Sequence, residues 1–284
     1  MSAYKSFAVV GGGTVGLPIV NALAEQNVYV LLLSRSGSST KTVPSSVQVI
    51  QVDFNDTTAV AAVFKEHKVD VVLSTVAPTA VAVEWSLVDA AKLAAVKLYL
   101  PSKYGFPAEG QTEGFQAVKN QIVAHLKSVN IPSTIVYTGL FVEFIPWLVG
   151  YSEDDKKFKL VTKGEAPMSF TAIADIAGFV AYVLTKLPPS ELEDRVLRLE
   201  GERSSLKDVA IQFKTSVEHV DSAKITGAGS EYKIVLQNLI ETGAGSTGWD
   251  DVKKVEGSGS NAAGSANALW PGHKWKSIKE VYKL

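Results

Sequence analysis

Residues 7–16 read Phe-Ala-Val-Val-Gly-Gly-Gly-Thr-Val-Gly, an apolar run followed by a glycine-rich turn. The next apolar segment contains no internal proline, so the turn joins a predicted strand to a predicted helix. Gly11 permits the tight turn, Gly13 lets the backbone approach a pyrophosphate, and Gly16 lets the helix lie close to the strand. The amino terminus of that helix would then face phosphate groups with unpaired N–H groups. The residues expected to contact a dinucleotide at this turn are Gly11, Gly13, Thr14, Val15 and Gly16.

The second predicted strand, Val28–Leu33, is followed by Ser34-Arg35-Ser36. An Asp or Glu at this distance from the glycines would accept a hydrogen bond from the ribose 2′-OH of NAD and repel the 2′-phosphate of NADP. A guanidinium instead pairs bidentately with that phosphate and stacks on adenine, and the serine hydroxyls add donors. The sequence therefore predicts NADPH or NADP⁺ as the cofactor, bound by Ser34 and Arg35. The alternative is a plain glycine-rich turn and a solvated arginine, which the strand, helix and spacing disfavour.

Further apolar strands alternate with helical segments, which is the pattern of a parallel sheet covered by helices on both faces. The next strands are predicted at Val47–Val52, Val69–Val76, Lys97–Leu100 and Ile131–Tyr137. The chain then becomes mixed, with short strands at Phe158–Val161, Met168–Phe170 and Arg195–Leu199 and a helix at Ala172–Lys186. The predicted fold class is α/β, a Rossmann-type doubly wound parallel sheet with a smaller C-terminal α/β substrate lobe. We expect residues 1–140 to form the cofactor-binding domain and residues 141–284 to form the lobe, interleaved with the sheet.

Residues that follow two further strands complete the predicted cofactor set, because parallel sheets bind ligands at the carboxyl ends of their strands. Asp53 follows the third strand and would accept a hydrogen bond from the adenine amino group. A helix N-cap or a loop acid is an equally good interpretation of Asp53. Thr75 and Val76 follow the fourth strand and would border the nicotinamide half of the cofactor.

The composition excludes several classes of function. The formal net charge of −1 provides no field to steer the chain toward nucleic acid or an anionic membrane. The sequence contains no cysteine, which excludes disulfides, thiolate catalysis and the common zinc sites, and its four histidines show no metal-ligand spacing. The apolar runs are short and the first strand follows soon after Met1, so we expect no signal peptide, no membrane span and a cytoplasmic enzyme. A homodimer is compatible with the sequence, which does not determine the oligomeric state.

A third motif follows the fifth strand and reads Leu100-Pro-Ser-Lys-Tyr-Gly105, with Lys119 in the next helix and Ile131-Pro-Ser-Thr134 opening the next strand. In this order and spacing the chain resembles the NmrA-like and isoflavone-reductase-like branch of the atypical short-chain dehydrogenase/reductases. Members of that branch carry a Phe-Leu-Pro-Ser-Glu-Phe-Gly type segment, a catalytic lysine in the following helix and an Ile-Pro-Thr type strand. The chain departs from this pattern at Lys103, where many members have Glu, and at Val10, which replaces the family's first glycine.

Lys119 is the candidate catalytic residue that the resemblance implies. It lies beside the apolar stripe of its predicted helix, at the edge of the buried face. The stripe consists of Phe115, Val118, Ile122, Leu126 and Val129. Partial burial lowers the pKa of a lysine, so that it can donate a proton to an oxyanion, take one from a phenol, or hydrogen-bond the nicotinamide ribose. The alternative is a solvated surface lysine; His125, on the same helix, is expected to be a partly buried, hydrogen-bonded residue rather than a catalyst.

Tyr99 and Lys103 match the Tyr-x-x-x-Lys pair of many short-chain dehydrogenases, in which both side chains lie on one helix face. Pro101 stands between them here. The residue before a proline is disfavoured in the helical region, so Tyr99 is expected to end a strand and Lys103 to lie in a loop. The i,i+4 geometry therefore fails, which disfavours this dyad and an epimerase or dehydratase acting on nucleotide sugars.

Aromatic residues at strand ends and on the lobe favour an aromatic or otherwise flat apolar substrate, although core packing is the alternative for each ring. The candidates are Tyr104, Phe106, Phe141, Phe144 and Phe170, with Trp85 and Trp147 as further members of the wall. Asp175 resembles the family's aspartate that opens the helix after the lobe strand, and we expect it to cap that helix. The small-residue stretches 243–248 and 256–265 are expected to be solvent-exposed connections, with a lid as the alternative.

These predictions converge on a cytoplasmic NADPH-dependent reductase of the isoflavone-reductase-like type that acts on an aromatic secondary metabolite. The hydride would go to an enone, aryl ether, ketone or imine carbon, with Lys119 as general acid or base. The competing interpretation is an NmrA-like sensor, which binds NADP(H) and reports redox state to a protein partner without turnover. Lys119 beside a pocket favours the enzyme, whereas a pocket filled by side chains favours the sensor.

Overall fold

A computed structural model of the chain describes residues 4–35, 42–227 and 229–284, with the side chains of residues 78, 79 and 115 excepted. The chain divides into two compact units. Unit 1 comprises Met1–Lys103, Gly110–Val136 and Ile176–Leu197, and unit 2 comprises Tyr104–Glu109, Tyr137–Asp175 and Arg198–Leu284. The separate cofactor and substrate roles expected for residues 1–140 and 141–284 remain predictions.

Unit 1 contains a five-stranded parallel sheet with helices in its connections. The strands are β1 (Ser6–Val10), β2 (Tyr29–Ser34), β3 (Val47–Gln51), β4 (Val71–Ser74) and β5 (Leu98–Leu100). The helices are α1 (Gly16–Ala24), α2 (Thr57–Glu66), α3 (Glu84–Leu93) and α4 (Gly114–Ser128), with a 3-10 turn at Pro78–Val83. The strand order is β3-β2-β1-β4-β5, which reverses direction next to β1 and so creates the crevice where such sheets bind ligands. This topology confirms the predicted Rossmann-type fold.

The register of the sheet aligns the carboxyl ends of its central strands. Val10, the last residue of β1, pairs with Leu33 of β2 on one side and with Ser74 of β4 on the other. The next residues, including Gly11 and Thr75, therefore leave the sheet at the same level. All five residues of β1 are buried, because a central parallel strand is covered on both faces.

The remainder of the chain adds short strands and further helices. The strands are β6 (Thr134–Tyr137), β7 (Leu140–Phe141), β8 (Lys157–Leu160), β9 (Met168–Thr171), β10 (Arg195–Arg198), β11 (Glu202–Ser204), β12 (Ser216–His219), β13 (Trp249–Asp250) and β14 (Val255–Glu256). The helices are α5 (Ile145–Val149), α6 (Ile173–Lys186), α7 (Leu206–Gln212), α8 (Ser230–Leu239) and α9 (Ile278–Tyr282). Among the described residues, every helix is too short or too polar to cross a bilayer.

Unit 2 has an apolar core of its own and small sheets in place of one large sheet. Its three-stranded sheet has the order β11-β9-β7, β12 pairs with β8 in parallel, and β13 pairs with β14 as a hairpin. Phe158, Phe170 and Ile278 are fully buried in this core. Single-turn helices of this unit occur at Val142–Phe144, Ser222–Lys224, Gly259–Asn261 and Asn267–Leu269, and a π-helical turn occurs at Ile240–Ala244. A further single-turn helix, Pro189–Glu191, belongs to unit 1.

Candidate functional site

The glycine turn after β1 is closely packed against the start of α1. Gly11 has a φ of +103°, which favours glycine, and its N–H donates to the Leu33 carbonyl at 2.9 Å. A Cβ on Gly16 would lie 1.9 Å from the Gly11 carbonyl oxygen and 2.4 Å from Thr75 Oγ1. The turn therefore requires glycine at position 16, as its predicted role of bringing helix and strand together implies.

Gly13 lies in a different environment from the other two glycines. A Cβ built on it would meet nothing within 4 Å, and Gly13 and Thr14 are both exposed. In the described chain, α1 carries no acid in its first turn, and its N-cap Val15 makes no side-chain hydrogen bond to cap the helix. Open space in front of an uncapped helix amino terminus suits an anion, so these residues fit the pyrophosphate of a dinucleotide. Contact of Thr14 and Val15 with a cofactor remains a prediction.

Thr75, which follows the neighbouring strand β4, holds this turn in place through hydrogen bonds. Its hydroxyl donates to the carbonyl oxygens of Gly11 at 2.7 Å and Val10 at 3.1 Å, and its N–H donates to Val10 at 2.9 Å. Val76 is buried, and its carbonyl accepts a hydrogen bond from Ser102 Oγ at 2.9 Å. Thr75 thus shapes the loop through its side chain, while the expected contact of both residues with the nicotinamide half remains a prediction.

The residues expected to select the cofactor follow β2 and β3. Ser34 is the last residue of β2 and is nearly buried, and its carbonyl accepts from the Val52 N–H at 3.0 Å. Arg35 follows it and is exposed, so its guanidinium is accessible to a ligand. Ser36 lies outside the described residues. The pairing of Arg35 with a 2′-phosphate therefore remains a prediction.

Asp53 adopts one of the alternatives considered from the sequence. Its Oδ1 accepts hydrogen bonds from the backbone N–H and the side-chain Nδ2 of Asn55, both at 3.0 Å. The N-cap of α2 is Asp56, whose Oδ1 accepts from the Ala59 N–H at 2.9 Å. The N-cap interpretation of Asp53 is therefore wrong, because the N-cap lies three residues later and the helix begins at Thr57. Asp53 is an exposed loop acid, and its proposed contact with adenine remains a prediction.

Lys119 lies on α4 and is only 8% exposed. Ile122 and Leu126, from the predicted apolar stripe, are fully buried on the same helix, and the Phe115 side chain lies outside the described part of the chain. Burial lowers the pKa of Lys119 to about 8, opposed by the nearby Glu84 carboxylate and assisted by the positive charge of Lys103. An amine with a pKa this close to neutrality can both give and take a proton under physiological conditions.

Glu84, the first residue of α3, is a buried acid that the sequence analysis missed. It is 1% exposed, and its Oε1 accepts from the Ser102 N–H at 2.8 Å. Burial raises the pKa of Glu84 above its usual value, and this is only partly offset by the hydrogen bond from the Ser102 N–H, by the Ser74 hydroxyl and by the charges of Lys119 and Lys103. From the sequence, an acid at a helix amino terminus is explained by the helix dipole alone. The available signal was its position between the apolar residues Val83 and Trp85.

Lys103 and Tyr99 are separated as predicted. Tyr99 lies in β5, whereas Lys103 lies in the following loop, so the two side chains do not share a helix face. Lys103 is 4% exposed, and its Nζ donates to Asn120 Oδ1 at 2.8 Å. The predicted hydrogen-bonded state of His125 is also confirmed, because its Nε2 lies 2.7 Å from Asp89 Oδ1.

The five substrate-binding candidates and Trp147 belong to unit 2, where they differ in exposure, whereas Trp85 belongs to unit 1. Phe170 is fully buried and Phe106 nearly so, and both pack in the apolar core. Phe141, Phe144 and Tyr104 are half-buried, and the Phe141 and Phe144 rings meet edge to face at 5.5 Å. Only the half-buried rings have area left for a ligand in this conformation. The substrate contacts of all five residues remain predictions.

The first small-residue stretch was expected to be a solvent-exposed connection, and for residues 244–248 this expectation is wrong. Ser246 and Thr247 are fully buried, and the Thr247 N–H donates to Ser169 Oγ at 3.0 Å. A Cβ on Gly245 would lie 2.7 Å from the Cβ of Met168, so the small residues allow close packing against β9. In the second stretch, residues 258–261 are exposed, as expected.

Asp175 lies in the first turn of α6 and is 2% exposed. Its Oδ2 accepts from the Lys276 N–H at 2.7 Å, and its Oδ1 lies 3.1 Å from His273 Nε2. The His273 ring stacks on Trp270 at 3.6 Å. Asp175 therefore tethers the C-terminal segment to the start of the helix, a role that the sequence did not indicate.

Comparisons with known proteins agree with the fold and with the resemblance noted in the sequence. A sequence model of the NmrA-like family matches residues 4–280. A protein named oxidoreductase aprR, from Aspergillus flavus, is 26% identical over 245 residues, which cover 83% of this chain and 81% of that protein. Leucoanthocyanidin reductase from Vitis vinifera, solved with NADPH, has a TM-score of 0.80 at 16% identity, with 98% of each chain covered. AtPrR2, solved with NADP⁺ and (+)-pinoresinol, has a TM-score of 0.76 at 18% identity, covering 100% of this chain and 99% of that one.

Proposed function

The chain belongs to the NmrA-like family, and on that premise we propose that it is an NADPH-dependent reductase in which Lys119 acts as general acid or base. The observation that carries the proposal is the buried amine of Lys119, whose pKa is lowered to about 8. It lies on the helix that follows β5, in the same unit as a glycine turn suited to a dinucleotide. The oxidoreductase name of the Aspergillus flavus relative supports an enzyme over a sensor.

NADPH supplies the hydride when it is bound. The residues of the chain bind the cofactor and donate the proton. Gly11, Gly13 and Gly16 shape the phosphate cradle, and Arg35 pairs with the 2′-phosphate. The Lys119 ammonium, the main form at pH 7 because its pKa is about 8, donates one proton to the substrate atom on which negative charge develops. Solvent then reprotonates the amine.

The proposed substrate is an aromatic or otherwise flat apolar metabolite, in which an enone, aryl ether, ketone or imine carbon is reduced. Two observations support this class. The half-buried rings of Phe141 and Phe144 retain area for a flat ligand, and AtPrR2 was solved with the aromatic compound (+)-pinoresinol. A role in secondary metabolism, a cytoplasmic location and a homodimer belong to the same proposal and rest on the sequence.

Cofactor choice is tested by titrating the protein with NADPH and NADH and following nicotinamide fluorescence. We expect the wild type to prefer NADPH and Arg35→Ala to lose at least about tenfold in NADPH affinity, equivalent to about 1.4 kcal/mol, with little change for NADH. Arg195→Ala, at an exposed arginine of β10, is the control and should keep the preference. Equal affinity of the wild type for both cofactors would contradict the role of Arg35.

Catalysis is tested by NADPH oxidation with a panel of aromatic enones, aryl ethers, ketones and imines. Lys119→Met should lower kcat at least about a hundredfold, whereas Lys127→Met, at an exposed lysine of the same helix, should leave it unchanged. A wild-type rate in Lys119→Met would refute its role as acid or base. Tight NADPH binding without turnover of any panel member would favour the redox sensor instead.

A further inference from the structure

Three buried charged residues come together in unit 1, and the proposed function uses only one of them. Glu84, Lys103 and Lys119 are 1%, 4% and 8% exposed, respectively. Burying a charge is costly unless it is paired or hydrogen-bonded, so such a cluster requires a compensating arrangement. The Glu84 carboxylate interacts electrostatically with the ammonium groups of both Lys119 and Lys103.

Two hydrogen bonds link the three elements that carry these residues. Glu84, at the start of α3, accepts from the N–H of Ser102 at 2.8 Å, and Ser102 immediately precedes Lys103. Lys103 Nζ donates to Asn120 Oδ1 at 2.8 Å, and Asn120 immediately follows Lys119. The chain of contacts therefore runs from α3 through the loop after β5 to α4, and ends beside Lys119.

The loop in this chain of contacts is held from two further sides. Ser102 Oγ donates to the Val76 carbonyl at 2.9 Å, which ties the loop to the segment after β4. Asn120 Nδ2 donates to the Gln111 carbonyl at 3.1 Å, which ties α4 to the segment before it. The hydrogen bond from Ser102 to Glu84 thus belongs to a set of contacts that defines where the loop and α4 lie.

The electrostatic effects of the two neighbours on Lys119 are opposite in sign. The Glu84 carboxylate favours the ammonium form and raises the pKa of Lys119, while the positive charge of Lys103 lowers it. Burial is the largest cause and leaves the pKa at about 8. The other titratable groups on the two helices are Asp89 and Lys92 of α3 and His125 and Lys127 of α4. Asp89 and His125 pair with each other at 2.7 Å, and both lysines are exposed.

We propose that Glu84 is the positioning residue for Lys119: it fixes the loop after β5 through Ser102 and keeps one negative charge facing the Lys119 ammonium, in opposition to Lys103. This role rests on the proposed function, because the orientation and charge of Lys119 matter for turnover only if Lys119 is the acid or base. Glu84 does not itself exchange protons with the substrate.

The test uses Glu84→Gln, which removes the charge and keeps an oxygen that can accept from the Ser102 N–H. The Lys119 amine is titrated by NMR with isotope-labelled lysine, and its signal is assigned by its loss in Lys119→Met. We expect Glu84→Gln to lower the pKa of Lys119 by about one unit and Lys103→Met to raise it by a similar amount. Asp70→Asn is the matched control, since Asp70 is a buried carboxylate of unit 1 that pairs with Lys97 at 2.7 Å.

The same variants are assayed for kcat/KM against pH, in which the limb assigned to Lys119 should move with the NMR titration. An unchanged Lys119 titration in folded Glu84→Gln overturns the proposal, as does a shift of equal size in Asp70→Asn. If Glu84→Gln fails to fold, Lys103→Met is the deciding variant. A raised pKa of Lys119 in that variant supports the opposed effects of Glu84 and Lys103, and an unchanged pKa overturns the proposal. If the variants change the pKa of Lys119 measured by NMR but leave the pH profile of kcat/KM unchanged, the electrostatic coupling stands and Lys119 is refuted as the acid or base.

Discussion

Separate substitutions of Gly16 and Gly13 by alanine should distinguish a glycine needed for packing from a glycine needed for ligand binding. In Gly16→Ala the new Cβ would lie 1.9 Å from the Gly11 carbonyl oxygen, whereas ordinary contacts begin at 3.4 Å. Backbone must therefore move by about 1.5 Å. Overpacking of this kind costs about 1–3 kcal/mol, so we expect the free energy of unfolding to fall by about 2 kcal/mol. NADPH affinity should fall as well, because the turn and the start of α1 separate.

Gly13→Ala is the matched variant with the same chemical change. Its Cβ would have no neighbour within 4 Å, and Gly13 is not among the residues with a positive φ. The free energy of unfolding should therefore stay the same or rise by about 0.5 kcal/mol, since alanine restricts the unfolded chain. NADPH affinity should still fall at least about tenfold, because the methyl group occupies the space through which the backbone approaches the pyrophosphate.

Both quantities are measured on the same preparations, unfolding by urea with far-UV circular dichroism and binding by nicotinamide fluorescence. Wild-type stability in Gly16→Ala would refute the close approach of strand and helix. Wild-type NADPH affinity in Gly13→Ala would refute the assignment of the open side of the turn to the phosphates. Equal losses of stability in both variants would show that the turn is sensitive to any side chain and would refute the division.

Three further changes test other contacts. Thr75→Val removes the hydroxyl that donates to the Gly11 carbonyl at 2.7 Å. We expect the free energy of unfolding, measured with urea, to fall by about 1 kcal/mol and NADPH to bind more weakly. An unaltered NADPH affinity would contradict the role of Thr75 in holding the turn. Tyr137→Phe removes the buried hydroxyl that donates to Glu109 Oε1 at 2.6 Å, and we expect the free energy of unfolding to fall by about 1.5 kcal/mol. An unchanged free energy of unfolding would show that this hydrogen bond does not stabilise the fold. The pKa of Lys119 is about 8, so the fraction of Lys119 in its proton-donating ammonium form declines above pH 8. We therefore expect kcat/KM for reduction to fall above pH 8. A flat pH profile to pH 10 would count against Lys119 as the proton donor.

The parallel sheet and its glycine turn could be predicted because their signals are local. The apolar run before Gly11, the spacing to Gly16 and the strand after residue 28 specify the βαβ geometry within a short segment. Pro101 likewise ruled out a helical Tyr99–Lys103 pair through its effect on the preceding residue. Predicted strand ends differed from the observed ones by one to three residues, as at β4 and at the start of β6, because the ends depend on pairing with neighbouring strands.

The small-residue stretch at 244–248 shows why composition misled. Small side chains bury little area of their own, which favours an exposed connection in a sequence-based interpretation. In the structure the same lack of side chain lets the backbone approach β9, and hydrogen bonds with Ser169 satisfy buried polar groups. Whether glycine and serine mark a loose segment or a closely packed one depends on what faces them.

The sequence by itself determined the fold class, the family, and the position of the turn that is suited to a dinucleotide, since each depends on residues close together in the chain. Only the tertiary structure decided that Lys119 is buried with Glu84 and Lys103, and therefore that its pKa is lowered to about 8. The physical reason is that desolvation and Coulomb interactions depend on distances in space. Helix α3, the loop after β5 and helix α4 supply one charge each, and folding alone brings those charges together.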